Sequence, residues 1–479
     1  MGSEEKRVNN HLKHGGMDLT VGSIPRNLIV FSLPMLLGSV LQTAYSLVNA
    51  FWVGKYLGAD ALAAVTVSFP VVFVFIALGI GLTIATNILI AQYVGAKEWD
   101  KLKNVVQTSS LLVGCLSLVF VACGLALTPA ILRLMGTPAE IFQPALHYLR
   151  IFLWTIPLGF GIFLIGAMLR GIGDSRTPLY FQAATVVLNA ILDPLLIFGL
   201  LGFPKLGLNG TAYASILVQA AGVLGLIIYV PYFRPLVSPD FRHPHFDLRT
   251  AWLLVRIGFP AMIQQSVVSV SMFFIVRFVS AFGAEADAAF GAALRIDQVA
   301  FLPALTIGSA VSTLSGQNIG AMKIERVRGI FWWGILISGG ISLAISIATM
   351  SFPQLFLRAF LNDPQVLEIG VHYLRIVGIT YTLYAVLFVS NGVINGAGHT
   401  VPTTLITILN LWGVRVPLAA ILPRYTHSVR GIWTAMTLSV ATGMVLSLVY
   451  YTVGRWKTPV IRKKANIISE PVLESERGK

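Results

Sequence analysis

Apolar residues in this chain run in long, nearly unbroken stretches, rather than in the alternation of a strand or the one-sided stripe of a soluble helix. Twelve such stretches succeed one another: Arg26–Gly54, Ala61–Val94, Asn104–Leu127, Phe142–Leu169, Pro178–Gly202, Asn209–Phe233, Ala251–Ser280, Ala288–Ile319, Arg328–Ser351, Leu367–Asn395, Pro402–Pro423 and Val429–Val453. Each is long enough for the roughly 20 residues a helix needs to cross a bilayer. Water is absent there to satisfy backbone groups, so the crossings must be helical. The pattern predicts an all-α polytopic membrane protein with twelve transmembrane helices. The three polar stretches are the N-terminal tail at residues 1–24, a link at residues 234–250 whose Arg234–Arg249 reads RPLVSPDFRHPHFDLR, and a basic tail at residues 454–479. The first of these lacks the apolar core and small-residue cleavage site of a secretory signal.

Charge adds orientation. Lysine and arginine gather in alternate loops, at Lys97, Lys101 and Lys103, at Arg170 and Arg176, at Arg234, Arg242 and Arg249, and at Lys323, Arg326 and Arg328. By the positive-inside rule these loops face the cytoplasm, and an even number of crossings puts both termini on that side. The expectation is a multi-pass protein of the plasma (inner) membrane with cytoplasmic termini. The 479 residues are 56% hydrophobic and only 11% charged, so a net charge of +14 orients the chain in lipid rather than marking a nucleic-acid partner. Nothing in the sequence marks an obligate protein partner. Cys115 and Cys123, eight residues apart on one helix, are too distant for a disulfide and read as packing residues.

The chain repeats itself at a spacing of 225 residues. HYLRI at His147–Ile151 recurs unchanged at His372–Ile376; AQYVGA at Ala91–Ala96 answers GQNIGA at Gly316–Ala321; Gly171 and Gly173 answer Gly396 and Gly398. Two six-helix units, residues 25–233 and 251–453, are therefore expected as pseudo-symmetric lobes related by an axis along the membrane normal, a plan used by transporters whose substrate site lies between the halves. Residues shared by both halves, such as Gln92 and Gln317 or Arg150 and Arg375, read as architecture.

One intramembrane acid breaks the symmetry. Asp193 lies within TVVLNAILDPLLIF, with Asn189 one helical turn earlier on the same face and Pro194 opening the hydrogen-bond ladder beside both. The second half has Val414 or Arg415 at the corresponding place. A carboxylate inside an apolar span marks a functional site by default. Gln42, Tyr45 and Asn49 form a polar stripe on the first span that would face Asn189 and Asp193 across the first lobe. Counting back from Gly202 at 1.5 Å per residue puts Asp193 about 13 Å from the external end of its span. Asp297, with arginines on its own and other helices, reads instead as one half of a structural ion pair.

These residues, together with SLPMLLGSVLQTAYSLVNAFWVGKYLGADALAA, LRGIGDSRTP, AALRIDQVAFLP and SGQNIGA, give the chain from about Ile24 to Val453 a close resemblance to the multidrug and toxic compound extrusion (MATE) transporters. The resemblance implies two lobes around a central cleft and cation-driven export of organic, often cationic, drugs by alternating access. It implies no cofactor, with H+ or Na+ as coupling ion, and the lipid bilayer and a small organic substrate as the partners. Asn189, Asp193 and Gln42 match residues of the branch whose cation site lies in the N-terminal lobe, while Asn49 stands where that branch commonly has an acid. The implied coupling set is Asp193, Asn189 and Asn49, with Na+ at Asp193 as one option; the implied substrate set is Gln42, Tyr45, Asn49 and Asp193. The acids that related members use on helices seven and ten are replaced here by Val268 and Tyr384.

Proton and cation would compete for one carboxylate, which is antiport in outline. A flippase or exporter of a lipid-linked or metabolite substrate in the same superfamily is the alternative. An intramembrane enzyme is disfavoured, because no HExxH, GxSxG or DxxxD motif falls in the spans, and with no Walker A motif transport would run on an ion gradient.

Overall fold

In the computed structural model, residues 16–56, 79–134, 136–240, 243 and 245–461 are described, and all regular structure among them is helical. The helices are α1 (Ile24–Tyr56), α2 (Gly79–Ala96), α3 (Trp99–Leu134), α4 (Ala139–Phe152), α5 (Thr155–Gly171), α6 (Arg176–Phe198), α7 (Leu208–Phe233), α8 (Leu248–Ser280), α9 (Ala284–Gly320), α10 (Ile324–Ser351), α11 (Pro364–Val377), α12 (Thr380–Gly396), α13 (Thr400–Ile408), α14 (Val416–Thr426) and α15 (Arg430–Val453). Pairs α4/α5 and α11/α12 each make one span bent by 42°, and α13 continues through a π-helical stretch, Leu409–Arg415, into α14. Twelve crossings result.

The two bends are repeat mates with one cause. Thr155 and Thr380 open the second arm of each pair, and each hydroxyl donates back to a carbonyl three residues earlier, Phe152 O at 2.7 Å and Val377 O at 2.6 Å. Back-bonding of this kind competes with the helical ladder and bends it.

On α6 the sidedness is inverted relative to a soluble helix. The buried face carries Asn189 and Asp193, whereas Val187 and Ile191 are exposed where lipid would lie. Cys115 and Cys123 are likewise exposed on α3, so they are not the packing residues the sequence suggested; their small apolar side chains suit a lipid-facing surface.

The lobes exchange their first helices. Leu28 and Phe31, near the start of α1, are buried in the C-terminal cluster with Ile307, Val311, Ile330 and Val393, after which α1 runs along α6 of its own lobe. Leu254 and Ile257 at the start of α8 sit in the N-terminal cluster with Leu82, Val105 and Leu169, and α8 then runs along α13. Both exchanges occur at the end of the molecule that carries the Lys/Arg-rich loops.

That end is also sealed by polar bonds that obey the repeat. Gln92 Nε2 donates to Gly396 O at 2.8 Å, and Gln317 Nε2 donates to Gly171 O at 2.9 Å; both glutamines are fully buried. Gly95 and Gly320 allow the approach: a methyl group on Gly95 would overlap the Gln317 carbonyl, and one on Gly320 would overlap the Gln92 carbonyl. The shared glutamines are thus architectural, as their presence in both halves implied, whereas Arg150 and Arg375 are exposed.

Candidate functional site

Within the spans of the N-terminal lobe, Asp193 is a buried carboxylate at the meeting of α1, α6 and α7. Asp193 lies five residues before the end of α6 at Phe198, about 8 Å by helical rise, nearer the terminus than the count from Gly202 gave. The difference comes from Gly199, which ends the helix in the left-handed conformation at φ 71°. Asp193 is 0% and Asn189 1% exposed. Asn189 Nδ2 donates to Asp193 Oδ1 at 3.3 Å. Among the described residues, the other oxygen of each side chain, Asp193 Oδ2 and Asn189 Oδ1, is buried and takes no hydrogen bond.

The first-span stripe reaches this region through its neighbours rather than by touching the carboxylate. Tyr45 OH lies 3.3 Å from Ser215 Oγ on α7, and Gln182 Nε2 on α6 donates to Gln42 Oε1 at 2.9 Å. Tyr45 and Tyr148 of α4 both sit close enough to Asp193 to feel its charge. The backbone of Asn49 belongs to α1, but its side chain lies outside the described residues. Three participants escaped the sequence reading. Gln182 was legible in principle, since it precedes Asn189 by seven residues on the same face of α6. Tyr148 was hidden inside the repeated HYLRI motif, and Ser215 gave no signal before α7 was placed.

Chemically, among the described residues, the site presents oxygens without donors. Two buried oxygens that lack hydrogen-bond partners are costly as they stand, and a proton or a hard cation relieves them. Among the described residues no cluster of three or more His, Cys, Asp or Glu could hold a metal, so any cation here would be held by a single carboxylate with neutral oxygens.

The C-terminal lobe is built differently. Asp297 on α9 accepts from Tyr373 OH at 2.5 Å and Tyr381 OH at 2.6 Å. This replaces the expected ion pair: among the described residues no arginine bridges Asp297, and its oxygens are both occupied by phenols. Arg415 instead donates to Ser439 Oγ and Tyr384 OH, each at 3.0 Å. Ser439 in turn donates to Asn410 Oδ1 at 2.7 Å. Arg295 lies over the Phe360 ring at 5.7 Å. Among the described residues the Asp297 and Arg415 groups are satisfied, whereas Asp193 Oδ2 and Asn189 Oδ1 carry open valences.

Twelve crossings in two repeat-related lobes, with a buried Asn189–Asp193 pair inside one of them, define a polytopic membrane transporter rather than an enzyme. The MatE family model matches residues 34–195 and again 260–421, one match in each half of the repeat. The chain is similar to two proteins of Bacillus subtilis (strain 168). It is 35% identical to the probable multidrug resistance protein YoeA, covering 90% of this chain and 94% of that one. It is 31% identical to the probable multidrug resistance protein YpnP, covering 92% and 97%. Among solved structures, one described as the outward-facing conformation of a multidrug resistance MATE family transporter superposes with a TM-score of 0.84 at 25% identity, over 91% of this chain and 97% of that one. The chain belongs to the MATE family.

Proposed function

We propose that this protein is a secondary active exporter of small organic, often cationic, compounds, moving them by alternating access in antiport with H+ or Na+ through Asp193. The observation that carries the reading is a pair of buried oxygens without donors among the described residues, Asp193 Oδ2 and Asn189 Oδ1, side by side on α6. In one facing state a proton or Na+ neutralises Asp193. In the other the ion leaves and the carboxylate is free to favour a cationic substrate, so the two cannot be held at full strength together. Gln42, Tyr45 and Asn49 on α1 would shape the substrate side, and Asn189 and Asn49 would supply neutral ligands to the ion. The names of the Bacillus relatives support multidrug efflux as the activity. The Lys/Arg-rich loops support a plasma-membrane protein with both termini in the cytoplasm, and the repeat supports lobes at residues 25–233 and 251–453.

The test is efflux of a fluorescent organic cation from proteoliposomes under an imposed proton gradient and, separately, a sodium gradient. Asp193→Asn is nearly isosteric and keeps an acceptor for Asn189, so it should fold and bind into the membrane normally while gradient-driven transport drops to background. Full transport in that variant would move coupling away from Asp193. Absence of transport by the wild type under both gradients would favour the lipid-linked or metabolite substrate instead.

A further inference from the structure

The segment ahead of α1 crosses from one lobe to the other, and its backbone is held by side chains of the lobe to which it does not belong. Asp18 Oδ1 accepts from Thr20 N at 2.9 Å and Thr20 Oγ1 at 2.7 Å, forming a tight turn, and Gly22 at φ 76° turns the chain into α1. Between them, four successive carbonyls are taken. Leu19 O accepts from Asn318 Nδ2 at 3.1 Å and Thr20 O from Lys323 Nζ at 2.9 Å. Val21 O and Gly22 O accept from Arg326 Nη2 at 3.0 and 2.8 Å, and Val21 O also takes Asn27 Nδ2. Leu19 N donates to Gln317 Oε1 at 3.1 Å, and the Leu19 side chain is fully buried in the C-terminal cluster beside Ile319 and Val327. Toward the chain start, Met17 N donates to Gly173 O of the N-terminal lobe at 3.3 Å. Gly16 passes so close to the Ile172 carbonyl that a methyl group would overlap it.

Gln317 ties these contacts into the seam. Its Nε2 holds Gly171 O of the N-terminal lobe while its Oε1 holds the strap. In the other half, Gln92 makes the equivalent bond to Gly396 O, but its Oε1 is buried with no partner among the described residues. The seal is therefore symmetric in its two glutamine–carbonyl bonds and asymmetric in the strap. The seat of α1 itself is made by Leu28 and Phe31, with Leu19 as the strap's own apolar anchor in the same cluster.

We propose that residues 16–23 are a latch that holds this face of the transporter closed, and that release of Leu19–Gly22 from Gln317, Asn318, Lys323 and Arg326 is a step in opening the cleft to this side. For the lobes to part here, Gln317 must leave Gly171, and the strap, anchored at Gly173 on one side and at α9 and α10 on the other, must let go of one of them. The cationic partners sit at the exposed edge, where water can replace them, and Leu19 and Asn318 sit at the buried edge. Release thus begins at Arg326 and Lys323 and ends with Leu19. The latch rests on the alternating-access reading above but not on the identity of the coupling ion.

The experiment measures distances between spin labels at Lys101→Cys on α3 and Arg328→Cys on α10, one on each lobe at this face, in full-length protein carrying Cys115→Ser and Cys123→Ser. The parent should show a dominant short distance. Adding Lys323→Ala and Arg326→Ala removes the side-chain bonds to Thr20, Val21 and Gly22, and should raise the ratio of long to short distances by about tenfold. In parallel, Leu19→Cys should be protected from a membrane-impermeant maleimide in the parent and react about tenfold faster in the double variant. Superimposable distances together with unchanged protection would overturn the latch. If the double variant does not stay monodisperse, Arg326→Gln alone supplies the same comparison. Neither readout needs substrate or ion, so failure of coupling at Asp193 leaves it standing. A long-distance population that the parent reaches under an ion gradient while Leu19→Cys stays protected would refute the latch alone. No long distance in any variant or condition would remove alternating access at this face and the latch with it.

Discussion

The buried Asp297 can be separated from the buried Asp193 by what its removal costs. Tyr373 and Tyr381 are both 0% exposed, and each spends its hydroxyl on one Asp297 oxygen. Asp297→Ala would strand two phenolic donors in a dry interior, at about 1–3 kcal/mol each, and leave a cavity between α9 and the α11/α12 pair, for a total of about 3–6 kcal/mol. Tyr373→Phe or Tyr381→Phe removes one donor and leaves one carboxylate oxygen short, at about 1.5–3 kcal/mol. The aromatic packing of Tyr373 on Phe290 and Trp433 survives in the phenylalanine variant, so the loss isolates the hydroxyl. The assay is thermal unfolding of purified protein in detergent, followed by intrinsic fluorescence, with the three single variants and the Asp297→Ala/Tyr373→Phe/Tyr381→Phe triple. The triple should be less destabilised than the sum of the singles, because it removes donors and acceptor together. Asp297→Ala that melts like the wild type yet loses transport would refute the structural assignment and make Asp297 part of the coupling machinery.

Two further outcomes follow from the seam and from the cap of α8. Gly320→Ala would normally favour a helix, but its methyl carbon would come within 2.8 Å of Gln92 C and overlap the adjoining oxygen, so the closed seam should lose about 1–3 kcal/mol. The same spin-label pair should then report more of the open arrangement, and a more stable protein with unchanged distances would contradict the close approach. Asp247 caps α8 by accepting from Thr250 Oγ1 and from the backbone of Arg249 and Thr250. The Thr250 hydroxyl, chiefly, holds its carboxyl below the usual range. The folded pKa is depressed, so the contribution is present above the ordinary value of about 3.9 and is lost as pH falls through the folded one. Hydrogen-exchange protection at the first turn of α8, taken relative to the intrinsic rate at each pH, should be high at neutral pH, lower below about pH 4, and low at all pH in Asp247→Ala.

The membrane class, the twelve crossings and the twofold plan follow from the sequence alone, because lipid permits few arrangements of a long apolar stretch and because HYLRI and the two glutamine–glycine motifs recur at a fixed spacing. The Asn189–Asp193 contact was equally legible, since four residues on one helix must share a face whatever surrounds them. Contacts between helices were not. That Asp297 would meet two tyrosines rather than an arginine, and that Gln42 and Tyr45 would turn to Gln182 and Ser215, depends on which faces of α6, α7, α9 and α11 come together, and spacing within one helix carries no information on that. The exchange of α1 and α8 between lobes and the strap at residues 16–23 were decided by tertiary structure alone. The strap is read through its backbone carbonyls, which every sequence possesses, so only the placement of Asn318, Lys323 and Arg326 beside it gives those carbonyls a role.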